Sequence, residues 1–360
     1  MPSKQKKLVF VTRPISPPWD EGSKNLALDL SKKIRINKLS ISLLTTGFVL
    51  KSVPKDVAQI PLYSNSKLNF FNKAKLFLFL IRARFDIFHL IFVTTPITSL
   101  FVRLILILKR VRSVQTVASL DKNLPNFFLR LMLYGNRIVC FSKSTADKIK
   151  STGISNVEII PPGVDVDKFK PGNKKNKIAF LGELYRMDSF PIVSELVPLL
   201  VSELPNYSIV LGFRGSTKPP QERESINKLH KKYSNIKNVD WKDVIGEMEE
   251  FLKDTKLVII PAKKTQGKFD FPMVLLEALS CGTPIIISPI NPLLELTRYK
   301  GAFAPSINTP NSFANKIREI LSEASYNSFS KQARETAVNN FSIEKVAKQY
   351  EKIYEELTKN

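Results

Sequence analysis

The residues with the clearest chemistry lie in one run, from Phe269 to Ser288. It reads as a loop, a helix opened by Pro272, a Gly282-Thr283-Pro284 turn and a buried β-branched strand. Such a helix start suits a phosphate. The free N–H groups that follow Pro272, at Met273 and Val274, point at it together with the positive end of the helix dipole. Glu277 lies one turn further in, about 6 Å along the axis from Met273. From there its carboxylate can accept hydrogen bonds from a ribose diol while a diphosphate rests on the helix end. The competing reading of the same residues is an ordinary helix–strand unit with a solvated Glu.

A second strand–turn–helix pattern spans residues 16–27, with Gly22 as its glycine. It is either a phosphate or sugar cradle at the carboxyl edge of a sheet or a rigid proline loop. Asp165-Val166-Asp167 spells the Asp-x-Asp of a divalent-metal site, but Asp in such a loop commonly caps a turn, and no metal is expected there. Cys140 and Cys281 are far apart in apolar surroundings, and His89 and His230 stand alone. That leaves no disulfide framework and no metal-ligand spacing, and it favours a reducing cytosol.

Leu276-Glu277-Ala278-Leu279 followed by Gly282-Thr283-Pro284 resembles glycosyltransferase family 4, also called glycosyltransferases group 1. The resemblance extends in motif order through Val139–Thr145 and Ile159–Phe169, with Pro162 where the family has Asn. It implies a GT-B fold, two Rossmann-like domains facing a cleft, and a final helix crossing back to the first domain. It further implies sugar transfer from a nucleotide donor with retained anomeric configuration. The family's cation site falls at Phe180–Asp188, so Gly182 and Arg186 are donor-binding and leaving-group candidates, the planar guanidinium suiting a diphosphate. Lys263, Lys264 and Lys268 offer further charge; Lys264 and Lys268 either touch phosphate or face water. His89, at the end of Asp86-Ile-Phe-His89, is either a packed structural group or a base, and we carry it as a catalytic candidate. Three positions depart from the family pattern. Phe269 stands where a first Glu belongs, leaving Asp270 as the nearest carboxylate to orient the donor sugar. Ala118 replaces a His, and Glu183 holds the usual Arg position.

The elements that must position these groups alternate strand and helix, the mark of parallel α/β sheets. Strands are expected at 8–12, 39–45, 86–93, 113–118, 137–141 and 157–160, with helices at 23–35, 68–83, 97–110, near 125–134 and at 143–152. The alternation restarts with strands at 177–181, 207–212, 237–241, 256–260, 284–288 and 302–304. Residues 1–165 plus a terminal helix 341–360 form an acceptor-side domain and 176–340 a donor-binding domain, joined by a linker at 161–175. In the terminal helix Val346, Tyr350, Ile353, Tyr354 and Leu357 recur at helical spacing. With 43% hydrophobic residues in 360, two packed cores are within reach. The basic start reads as a first strand rather than a signal peptide. The apolar run from 87 to 108, broken at Pro96, reads as a strand and a helix rather than a bilayer span.

The net charge of +23 is uneven: residues 1–170 carry 28 Lys and Arg against 10 Asp and Glu, and 171–360 carry 27 against 22. A solubility device would not distinguish the halves. Lys73, Lys75, Arg82, Arg84, Arg110 and Arg112, on or beside apolar helices, point to an anionic membrane surface or a polyprenyl-phosphate acceptor. The expected partners are a nucleotide sugar, as substrate rather than cofactor, and a glycan or lipid-linked acceptor. The expected location is peripheral on the cytoplasmic face of a membrane. No nucleic-acid motif accompanies the charge. An inactive regulatory subunit or a nucleotide-sugar 2-epimerase on the same fold remains the alternative, because of the three departures.

Overall fold

The computed structural model describes residues 5–19, 21–47, 49–92, 95–121, 123–213, 220–265 and 269–359. They form two compact units, Met1–Gly163 with Ile343–Asn360, and Val164–Ser342.

In the first unit the order is β1 (Lys6–Ile15), α1 (Gly22–Lys33), β2 (Leu39–Thr46), β3 (Ala58–Tyr63), α2 (Phe70–Arg82), β4 (Ile87–Leu90), α3 (Pro96–Leu108), β5 (Arg112–Val117), α4 (Asn126–Met132), β6 (Arg137–Cys140), α5 (Lys143–Lys150) and β7 (Val157–Ile159). The strands form a seven-stranded sheet, ordered β3-β2-β1-β4-β5-β6-β7, and all neighbours are parallel. The central strands are buried on both faces, which is why they read as continuous apolar runs. Along β1 and β4 the side chains alternate between two layers. Val9, Val11, Phe88 and Leu90 pack with Leu80, Val102 and Leu106 of α2 and α3. Phe10 instead meets His89, whose ring faces Tyr350 and Tyr354.

β3 is the one strand that the alternation failed to reveal. It lies at the sheet edge, is only partly buried and contains Pro61, so it shows neither an apolar run nor a clean period of two.

The second unit runs β8 (Lys177–Leu181), α6 (Phe190–Glu203), β9 (Ser208–Gly212), α7 (Pro220–Tyr233), β10 (Val239–Trp241), α8 (Met248–Lys253), β11 (Leu257–Ile260), α9 (Met273–Ser280), β12 (Ile285–Ile287), β13 (Ala302–Phe303), α10 (Pro310–Leu321) and α11 (Glu323–Thr336). Its sheet is also parallel, ordered β10-β9-β8-β11-β12-β13. The expected linker is largely not free: residues from Val164 onward are held by this unit. Lys174 Nζ donates to Thr283 Oγ1 at 2.6 Å, and Lys175 N donates to Asp254 O at 2.8 Å. Arg334 Nη1 reaches the carbonyls of Phe169 and Ser280 at 2.8 and 2.7 Å.

The chain then returns to the first unit as α12 (Ile343–Lys359), which buries Val346, Tyr350, Ile353 and Tyr354. Among the described residues no helix is long and apolar enough to cross a membrane.

Lys109, just after α3, turns back onto the end of α2. Its Nζ donates to Leu80 O at 2.8 Å and Ile81 O at 3.1 Å, and also to Ala83 O. These carbonyls end a helix and have no partner of their own within it, so the ammonium satisfies them and meets the negative end of the dipole. Lys109→Met keeps the stem and removes the donor. It is expected to lower unfolding free energy by about 1–3 kcal/mol, read as a shifted urea midpoint.

Candidate functional site

In parallel α/β units ligands bind outside the carboxyl ends of the strands. At that edge of the second unit the loops after β8, β11 and β12 are tied together. Lys263 N and Lys264 N donate to Met187 O at 2.9 and 3.3 Å, which sets the lysine loop beside the Arg186 loop. Ala262 N donates to Ser288 Oγ at 2.6 Å, Ser288 Oγ to Asn308 Oδ1 at 2.8 Å, and Asn308 Nδ2 to Ala262 O at 2.8 Å. Gly182 makes the first turn with φ of 121°, a conformation in which a Cβ would be strained.

α9 starts at Met273 behind Pro272, whose side chain makes no cap hydrogen bond, and no acidic residue stands in its first turn. The first N–H groups of a helix have no intrahelical acceptor. The Met273 and Val274 amides and the positive dipole end are therefore an anion site in waiting. At the other end of α9 the Arg334 guanidinium binds Ser280 O and stands against the negative dipole end. Glu277, partly buried, lies in the second turn.

Arg186 is at this edge, but not as a lone cation. Its Nε is 3.7 Å from Glu183 and 3.8 Å from Glu222. Glu222, on α7, escaped sequence reasoning because only the fold brings it to a residue so distant in the chain. Lys263 and Lys264 are exposed and form no ion pair among the described residues. Lys268 lies outside the described residues. Asp270, the expected sugar contact, is 3% exposed.

In the first unit two further expectations change. Gly22 does open α1, but the Glu21 carboxylate occupies that end, accepting from Ser23 Oγ at 2.5 Å and pairing with Arg13 Nε at 3.1 Å. A negative charge there repels a phosphate. His89 is not a base for substrate. It is 0% exposed, with Nδ1 2.6 Å from Tyr354 Oη and Nε2 2.7 Å from Thr116 Oγ1. Both nitrogens are thus engaged, and burial pushes its pKa down to about 3. Lys73, Lys75, Arg82, Arg84, Arg110 and Arg112 are all exposed, with Lys75 Nζ donating to Ser64 Oγ at 2.6 Å. Asp165 Oδ1 accepts from the amides of Asp167 and Lys168, both at 3.0 Å, and so caps a turn. No group of three His, Cys, Asp or Glu placed to hold a metal occurs among the described residues.

Two parallel-sheet α/β units of this kind are the architecture of the GT-B glycosyltransferases, and solved structures carry the comparison. A glycosyltransferase from Rickettsia africae matches with a TM-score of 0.76 at 19% identity, over 99% of this chain and 100% of that one. The HepE protein of Anabaena, solved with UDP and glucose, matches with a TM-score of 0.73 at 14% identity, over 98% and 99%. The profile described as "Glycosyl transferases group 1" fits residues 164–336, and "Glycosyltransferase Family 4" fits residues 25–168. The chain belongs to this family of glycosyltransferases.

Among curated proteins, the Escherichia coli UDP-Gal:α-D-GlcNAc-diphosphoundecaprenol α-1,3-galactosyltransferase is 26% identical over 242 residues, 62% of this chain and 58% of that protein. The match therefore spans little more than half the length of that relative.

The His89 placement has a measurable sign. Its folded pKa is depressed below the ordinary 6.5, so its contribution is fully present above pH 6.5 and lost as pH falls towards 3. Across that window the wild type is expected to lose about 1.4 kcal/mol per pH unit more than His89→Gln, measured by urea unfolding at pH 6, 5 and 4.

Proposed function

We propose that this glycosyltransferase moves a hexose from a UDP-sugar to a hydroxyl of a lipid-linked acceptor, with retention of configuration and without a metal ion. The observation that carries the reading is the open amino end of α9, with Lys263, Lys264 and Arg186 on the neighbouring loops and Glu277 one turn inside. The diphosphate rests on the Met273 and Val274 amides, and the lysines supply fixed positive charge against the charge that develops on the leaving group. Glu277 accepts hydrogen bonds from the ribose hydroxyls. Arg186 exchanges its carboxylate partners for phosphate oxygens, a swap its half-exposed side chain permits.

The bond from the anomeric carbon to the diphosphate oxygen breaks, and the acceptor oxygen bonds to the same face. The acceptor proton passes to the departing phosphate, which leaves as UDP. Asp270 holds the loop in this scheme rather than touching the sugar. UDP is favoured because the Escherichia coli relative is named for UDP-Gal and the Anabaena structure holds UDP, and the acceptor class follows the same relative.

Isothermal titration with a panel of nucleotide sugars tests the donor site. One UDP-hexose is expected to bind, weakened about ten-fold or more by Glu277→Ala and by Arg186→Ala, since each removes hydrogen bonds to or from a charged group. With that donor and an undecaprenyl-diphosphate-linked acceptor, turnover persists in EDTA and the product is α-linked by its anomeric proton coupling. Donor binding without turnover on any such acceptor sinks the enzyme reading and favours an inactive subunit, to which the Glu183 and Glu222 pairing of Arg186 would then belong.

A further inference from the structure

Between Val57 and Leu120 the chain carries nine Lys and Arg and one acid, Asp86. Within that stretch α3 is apolar on two sides. Its inner side buries Ser99, Val102 and Leu106, while Ile97, Phe101, Leu104 and Leu108 recur three or four residues apart on an outer side that nothing covers. Leu108 is 81% exposed. α2 continues this surface through Phe77, whose ring meets Phe101 edge-on at 6.1 Å. Exposed aromatic pairs stand at the starts of the flanking helices, Phe70 with Phe71 on α2 and Phe127 with Phe128 on α4, with Phe70 79% and Phe127 73% exposed. Scattered surface apolar residues are ordinary, whereas a continuous face of large ones marks an interaction surface.

A cavity of about 630 Å³ opens beside the end of α3, lined by Lys6, Asp86, Arg103, Ile107, Arg110 and Arg112 among others. It lies where β4 and β5 begin, the opposite sheet edge from the one parallel units use for substrates. Its one acid is already engaged, since Asp86 accepts from Lys7 N at 2.8 Å and pairs with Lys6 at 3.6 Å. Arg103 and Arg110 form no ion pair among the described residues. The cavity therefore carries surplus positive charge directly beside an apolar helix face, through Ile107.

We propose that the outer face of α2, α3 and α4 docks on an anionic lipid bilayer and that the arginine cavity receives a phospholipid phosphate. The leucines and phenylalanines enter the boundary between headgroups and acyl chains, while the cations meet the negative leaflet. Arginine forks suit phosphate oxygens with two parallel hydrogen bonds. The surplus charge singles out this occupant, because an uncharged apolar partner would leave the guanidinium groups stranded at its interface. The inference deepens the lipid-linked acceptor reading, but its test uses neither donor nor acceptor, so each can fail without the other.

Flotation with phosphatidylcholine vesicles holding graded phosphatidylglycerol is the experiment. Binding is expected to rise with phosphatidylglycerol and fall with salt. Arg103→Ala with Arg110→Ala is expected to weaken it about 25-fold, about five-fold per charge. Leu104→Ser with Leu108→Ser is expected to weaken it about ten-fold. Both double variants must keep wild-type circular dichroism and a wild-type unfolding midpoint. Absence of binding, or binding indifferent to both pairs, overturns the proposal. It is overturned equally if soluble glycerol phosphate fills the cavity while the leucine variants float unchanged, which would mark a free-anion site. A concentration-dependent dimer that vesicles do not dissociate would assign the face to a second copy of this chain instead.

Discussion

The direction of α9 depends on how its carboxyl end is held. A helix presents its free amides in whatever direction its axis runs, so an anion site at one end is only as fixed as the other end. Here the carboxyl end is clamped: Arg334 binds Ser280 O, Ser280 Oγ donates to Phe169 O at 2.7 Å, and Ser330 Oγ donates to Gly282 O at 2.6 Å. The same guanidinium also reaches the carbonyl of Val166 at 3.0 Å, so the entry segment and the helix are fixed by one cation. Positive charge at the carboxyl end matches the negative end of the helix dipole.

The α9 region was legible because the signals that start and end it are local. An eight-residue apolar helix between a proline and a glycine, then three isoleucines, leaves few alternatives, and Gly282 indeed takes φ of 66° where the chain turns. The residues that changed role are those whose partners are distant. His89 stayed open between a packed group and a base because Tyr354 is 265 positions away and Thr116 27. Gly22 looked like a phosphate cradle, although its neighbour Glu21 was visible, because the ion pair with Arg13 that keeps that carboxylate in place is tertiary. Arg186 was found at the right edge, but its second carboxylate comes from another helix. Periodicity reports which face is covered; it carries no information on which polar groups meet inside.

The two units divide the electrostatic work. In the second, backbone hydrogen bonds among the loops hold Lys263 and Lys264 beside the Arg186 loop. The first spreads cations over exposed helices with almost no acids among them, a distribution that provides long-range attraction rather than a shaped pocket. Lys109 is one exception, spent on helix carbonyls and lying 5.5 Å over the Phe88 ring, so it joins α2 to α3 instead of facing outward.

The return of α12 to the first unit sets an order of events during synthesis. His89 and Thr116 are made early, yet their partners Tyr354 and Tyr350 leave the ribosome 265 and 234 positions later. Until then the His89–Thr116 hydrogen bond lacks the two tyrosine hydroxyls that flank it in the folded unit. The first unit is therefore begun before the second and completed after it, and a nascent chain stopped before Ile343 contains one finished unit and one that is still open.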